Sequence, residues 1–153
     1  MRKQKGFSLI ELLIVVAIIL IIAAIAIPNL MRSKIAANEA SAISSIRTIV
    51  TAQTTYATTY PELGFATTLA KLGPSSGTPT SNEANLIDSV LASGSKSGYT
   101  IATQGTATTF FAQANPTTPG TTGIRSFCAA TDGVIKYQSS TIAASTCTGN
   151  PAQ

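Results

Sequence analysis

At 153 residues the chain can hold one small domain plus an anchor, and only 10% of it is charged, against about 25% in an ordinary soluble domain. Arg2, Lys3 and Lys5 supply three of its four net positive charges. The later cations, Arg32, Lys34, Arg47, Lys71, Lys96, Arg125 and Lys136, are scattered without a basic patch and interleaved aromatics, so there is no nucleic-acid signal.

Enzyme chemistry finds little support. The chain has no His, which excludes serine–histidine catalysis. Its six acids, Glu11, Glu39, Glu62, Glu83, Asp88 and Asp132, are dispersed, so no carboxylate pair is signalled. There is no Cys/His metal spacing and no glycine-rich phosphate loop. Catalytic residues, metal ligands and cofactors are therefore none in this reading, and Asp132-Gly133 reads as a turn rather than a calcium ligand.

Residues 1–6 form a short basic leader. Residues 7–27 follow as an apolar segment whose polar exceptions are Ser8 and Glu11; from Leu12 to Ile27 no residue is polar. As a helix it is about 31 Å long, near the thickness of a bilayer's hydrocarbon core. The dense leader cations place the N-terminus in the cytoplasm, although Arg32 and Lys34 on the far side weaken that bias.

Residues 28–60 continue as an amphipathic helix. Ile35, Glu39, Ala42, Ile43, Ile46, Ile49, Val50 and Gln53 recur at spacings of three and four, which makes one face. Pro28 should kink or loosen the helix, and Tyr60-Pro61 should end it. Residues 61–97 read as a connecting loop region punctuated by Gly64, Gly73-Pro74, Gly77 and Pro79, with a short helix over Glu83–Ala92.

Residues 98–153 read as strands: Tyr99–Thr103, Thr108–Ala114, Ile124–Ala129 and Gly133–Gln138, rich in Thr, aromatic and β-branched residues. Turns are expected at Gln104-Gly105 and Asp132-Gly133. The expected fold class is α+β, a long N-terminal α-helix packed on a small C-terminal antiparallel β-sheet. Cys128 and Cys147 form an even pair; in an exported chain they read as one disulfide, the other reading being two buried thiols.

Lys5-Gly6-Phe7-Ser8-Leu9-Ile10-Glu11-Leu12-Leu13, ahead of the apolar run, resembles the prepilin signal of the type IV pilin and pseudopilin family. The close match covers roughly residues 5–30. The resemblance implies leader cleavage after Gly6, N-methylation of the new N-terminal Phe7, and an assembly role for Glu11, Phe7 and Pro28. It further implies a homopolymer with itself as the main partner. The other implied partners are a prepilin peptidase/methyltransferase, an inner-membrane assembly platform and the membrane. The precursor would sit as a single-pass inner-membrane protein, and the product would be an extracellular pilus or a periplasmic filament. A Cys128–Cys147 disulfide pinning the last segment to the sheet also follows from the resemblance.

Glu11 carries independent physical weight. A carboxylate this far into a span costs about 2.5–3.5 kcal/mol on insertion scales, so it calls for a partner. The Phe7 ammonium of a neighbouring subunit would be one, and an ion pair in a low-dielectric core could set the stagger between subunits. The bland reading is a Glu11 near the interface that snorkels or is protonated. Ala23, Ala24 and Ala26 beside Pro28 allow close packing or are ordinary span filler.

Two other classes compete. Ala24-Ile25-Ala26 is a small-x-small site, so an ordinary secreted domain with a cleaved signal peptide is one; the run is long for it and Glu11 is out of place. An enzyme on a single-span tether is the other. Within the resembled family, a pilus pilin, a minor pilin and a type II secretion or competence pseudopilin share the motif.

Overall fold

The structure, a computed structural model, describes residues 7–143 and 147–152. The leader residues 1–6, including Gly6, lie outside the described residues. The chain divides into two compact units, residues 1–34 and 35–153. Helix α1, Leu9–Thr59, contributes to both.

In the first unit, the large apolar side chains from Phe7 to Met31 are exposed. Length and composition make α1 the one helix among the described residues able to cross a membrane. The helix runs through Pro28 without a break. Pro28 has no N–H to offer the carbonyl of Ala24. One residue on, the Asn29 side chain donates through Nδ2 to the Ile25 carbonyl at 3.1 Å.

In the second unit, α1 buries Glu39, Ala42, Ser45, Ile46, Ile49, Ala52, Gln53 and Tyr56. That is the three-and-four spacing of a single helical face. Six strands among the described residues form one sheet in sequence order: β1 Ser95–Lys96, β2 Tyr99–Gly105, β3 Phe110–Pro116, β4 Ser126–Ala130, β5 Lys136–Gln138 and β6 Asn150–Pro151. Each neighbouring pair is antiparallel. Tyr99, Ile101, Ala112, Ala114, Phe127 and Ala129 from one sheet face share a core with Ala42, Ile46, Ile49, Ala52 and Tyr56 of the helix. The fold is α+β, a long apolar-fronted helix with a small antiparallel sheet.

Several element edges differ from the sequence expectation, each for a local reason. The third expected strand opens at Ser126 rather than Ile124, because the Ile124 and Arg125 N–H groups bond to Glu39 instead of a strand. The second opens at Phe110, because Thr108 and Thr109 turn back onto the Thr106 hydroxyl. Gly105 then closes β2 rather than forming the turn; a Cβ there would collide with the Ala66 carbonyl. The last expected strand shrinks to Lys136–Gln138, since Asp132 caps the Val134 N–H at 3.1 Å and extends the turn.

Within residues 61–97, α2 covers Leu69–Leu72 and α3 only Ser89–Ala92, capped by Asp88 accepting from the Leu91 N–H at 2.8 Å. Asn85 has φ of 54° and cannot sit in a helix, which cuts off the front of the expected Glu83–Ala92 segment. The β1–β2 link is the two-residue turn Ser97-Gly98, with φ of 51° and 72°. Positive φ at both positions is the mirror-type turn whose twist suits a hairpin.

Candidate functional site

The motif at the start of α1 builds its own cap. Ser8 immediately precedes the first helical residue, and its N–H donates to Glu11 Oε2 at 2.9 Å. The Leu12 N–H reaches back to the Ser8 carbonyl at 3.3 Å. This is the reciprocal half of a capping box, with the carboxylate also favoured by the helix N-terminus. Glu11 thus has an intrachain partner that the sequence reading missed. The signal was present, because Ser8-x-x-Glu11 has the capping-box spacing. Phe7 is 84% exposed beside it. Pro28 is not brought to this motif; it lies 17 residues further on, about 26 Å along a helix axis.

Within the second unit, a polar cluster fastens the latter part of α1 to the sheet. Glu39 is 6% exposed. Its Oε1 accepts the Ile124 and Arg125 N–H groups, both at 3.0 Å, and its Oε2 accepts Arg125 Nε at 2.8 Å and Nη2 at 2.6 Å. Burial alone would push the Glu39 carboxyl up, but the Arg125 hydrogen bonds and the two backbone donors outweigh it and hold it below its usual value. The guanidinium lies over Phe127 and Tyr137, 5.5 and 5.2 Å from the ring centroids. One residue before Glu39, Asn38 donates to the Thr122 carbonyl at 2.8 Å.

Tyr99 is fully buried and donates to the Arg125 carbonyl at 2.8 Å. Burial first, and the Glu39 charge second, push its hydroxyl up to about 12. Gly123 is the residue that admits this ring, since a Cβ would strike the Tyr99 hydroxyl. Further along α1, buried Gln53 donates through Nε2 to the Ala66 carbonyl at 2.9 Å and to Thr103 Oγ1 at 3.0 Å. Its Oε1 accepts the Ala66 N–H at 2.8 Å. Both Glu39 and Gln53 had been placed on the amphipathic face from spacing, but nothing local signals their partners.

The opposite face of the sheet carries the cysteines. Cys128 on β4 is bonded to Cys147, 19 positions further along the sequence, with Cα atoms 5.6 Å apart. Asn115 on β3 holds Ile142 with both amide atoms: Oδ1 accepts its N–H at 2.9 Å and Nδ2 donates to its carbonyl at 3.1 Å.

A family profile described as "Prokaryotic N-terminal methylation motif" matches residues 1–27. The chain is 48% identical over 63 residues to the "Type IV wide pilus major component PilA4" of Thermus thermophilus, covering 41% of this chain and 42% of that protein. It is 40% identical over 45 residues to the "Type II secretion system core protein G" of Dickeya chrysanthemi, covering 29% of each. A "Fimbrial protein" of Pseudomonas aeruginosa is 38% identical over 117 residues, covering 66% of this chain and 75% of the relative. The chain belongs to the type IV pilin-like family. It spans under half the length of the Thermus relative. No solved structure matches it significantly.

Proposed function

We propose that the chain is a structural subunit of a type IV pilus-like filament, not an enzyme. In this reading it is inserted in the inner membrane with its N-terminus in the cytoplasm. A prepilin peptidase/methyltransferase cleaves after Gly6 and methylates Phe7. An assembly platform then moves the subunit from the bilayer into a homopolymer. The observation that carries the reading is Glu11, a carboxylate fixed in the first turn of a helix whose apolar side chains stay exposed from Phe7 to Met31. That surface needs lipid or other copies of itself around it. Exchanging one apolar surround for the other buries little new surface from water, so packing and ionic pairing must drive the transfer.

The capping bond occupies Glu11 Oε2. The carboxylate retains acceptor capacity for the Phe7 ammonium of the next subunit. Pro28, among small alanines, would permit close approach of neighbouring helices.

A pseudopilin or minor pilin is the second reading, supported by likeness to the secretion protein G of Dickeya chrysanthemi over 45 residues. The longer match to the fimbrial relative and the C-terminal disulfide favour the pilus reading. Mass spectrometry of the mature N-terminus tests both: a methylated Phe7 is expected. A chain starting at Ile27 would point to ordinary signal peptidase and end the filament reading. Sheared surface filaments containing the chain separate pilus from secretion apparatus.

A further inference from the structure

The two sulfurs of the disulfide are not equivalent. Cys128 is fully buried in β4, between Gln113 of β3 and Lys136 of β5 in the sheet register. Cys147 is half-buried and lines an open cavity of about 420 Å³, together with Gln104, Phe111, Thr131 and Asp132. Thiol–disulfide exchange requires the attacking thiolate to reach the sulfur it will bond to, so access decides which sulfur is attacked. On one side of this disulfide there is room, and on the other there is packed sheet.

A second observation bears on what happens once the bond opens. Ile142, five residues before Cys147, is 2% exposed and is held by both amide atoms of Asn115. Those bonds do not involve either sulfur. Ile142 therefore keeps its own anchor on this sheet face when the sulfurs part.

We propose that Cys147 is the exchange sulfur of this protein, the atom at which a glutathione-type thiol forms a mixed disulfide, with Cys128 as the leaving and resolving group. In the opening step the external thiolate attacks Cys147 Sγ. A new S–S bond forms there and the Cys128–Cys147 bond breaks. The electron pair leaves on Cys128 Sγ, which takes the proton the external thiol lost on ionising. In closure the Cys128 thiolate attacks Cys147 in the mixed disulfide and expels the external thiolate. The cavity beside Cys147 is then a docking place for the thiol, and the Asn115 clasp keeps Cys128 in reach for closure.

The test uses the full chain in detergent, briefly exposed to reduced glutathione, quenched with acid, alkylated and digested with trypsin. Cleavage after Arg125 and Lys136 puts the two cysteines on separate peptides. Glutathione is expected on the Cys147 peptide in about tenfold excess or more, with Cys128 recovered alkylated. Equal labelling, or a preference for Cys128, would overturn the proposal. The single variants give an independent reading with Ellman's reagent, after circular dichroism shows that each is folded. The Cys147 thiol in Cys128→Ser should react about tenfold faster or more than the Cys128 thiol in Cys147→Ser. Comparable rates would also overturn it. Adding Asn115→Leu to Cys147→Ser should speed the Cys128 thiol, and an unchanged rate would remove the clasp from the proposal.

Discussion

Glu39 on α1 receives both side-chain donors of Arg125 on one carboxylate oxygen and two backbone N–H groups on the other, across 86 positions of sequence. One side chain thereby fixes the approach to β4, and it does so in a core-facing position where an unpaired charge is costly. Replacing it with alanine leaves two backbone donors and a guanidinium without their acceptor. Arg125 is 43% exposed along its side chain and can rehydrate, which keeps the loss near the low end for a broken pair. Glu39→Ala is expected to lower unfolding free energy by about 3 kcal/mol. Urea denaturation in detergent measures it; a loss under about 1 kcal/mol would mean the pair only decorates the surface.

The same group sets an acid limit. Its folded-state carboxyl is held below the ordinary 4.5, so the folded state binds the proton more weakly than the unfolded chain. The stabilisation is complete above 4.5 and is lost as pH falls through the lower folded-state value. Asp88, lowered by its backbone bond to Leu91, and Asp132, lowered by Lys136, act in the same direction. Glu39→Gln should flatten only part of the acid slope. An unchanged profile in that variant would assign the slope to the two aspartates.

Tyr99 sets the alkaline limit. Its hydroxyl is raised from 10.0 to about 12. The folded state therefore holds the proton that the unfolded chain gives up, so stability is full below pH 10 and falls as pH rises toward 12. Tyr99→Phe should reduce that slope, leaving the share of Tyr56, whose hydroxyl burial also raises, while costing about 1 kcal/mol at neutral pH for the lost bond to the Arg125 carbonyl. Denaturation midpoints across the alkaline range decide it; a slope unchanged in the phenylalanine variant belongs to another group.

Gln53 is expected to be nearly as sensitive as Glu39 although it carries no charge. Gln53→Leu is close in size but strands the Ala66 N–H and carbonyl inside the core. A loss of about 2–4 kcal/mol is expected. A stabilised leucine variant would show that the amide network is dispensable for stability.

For Glu11, three variants separate the local cap from assembly. Glu11→Ala removes both and should leave insertion and cleavage intact while abolishing filaments. Glu11→Asp should be intermediate, because its shorter arm reaches the amine poorly. Glu11→Gln keeps a side chain able to close the capping box but carries no charge. If pairing with the Phe7 ammonium drives assembly, the glutamine variant should fail as the alanine one does, since the unpaired charge recurs at every subunit. Sheared-filament yield beside the mature membrane pool is the readout. Wild-type filaments from Glu11→Gln would reduce Glu11 to a helix cap.

What the sequence determined by itself was governed by short range. The apolar run after Glu11 declares a helix long and apolar enough to cross a membrane, because helix length and side-chain transfer energy are local sums. The spacing from Ile35 to Gln53 declares a buried face because helical periodicity is local too. Ser8-x-x-Glu11 carried a local signal of the same kind, which the sequence reading passed over. Only the tertiary structure decided what Glu39 and Gln53 do on that face, since their partners Arg125, Ala66 and Thr103 come from separate segments of chain. For the same reason Ile124 and Arg125 looked like strand and are not: their N–H groups have a carboxylate to bond to that no local pattern announces. The two-residue strands β1 and β6 exist only because a neighbour supplies the ladder. Backbone donors go to the best acceptor within reach, and reach is a property of the folded chain.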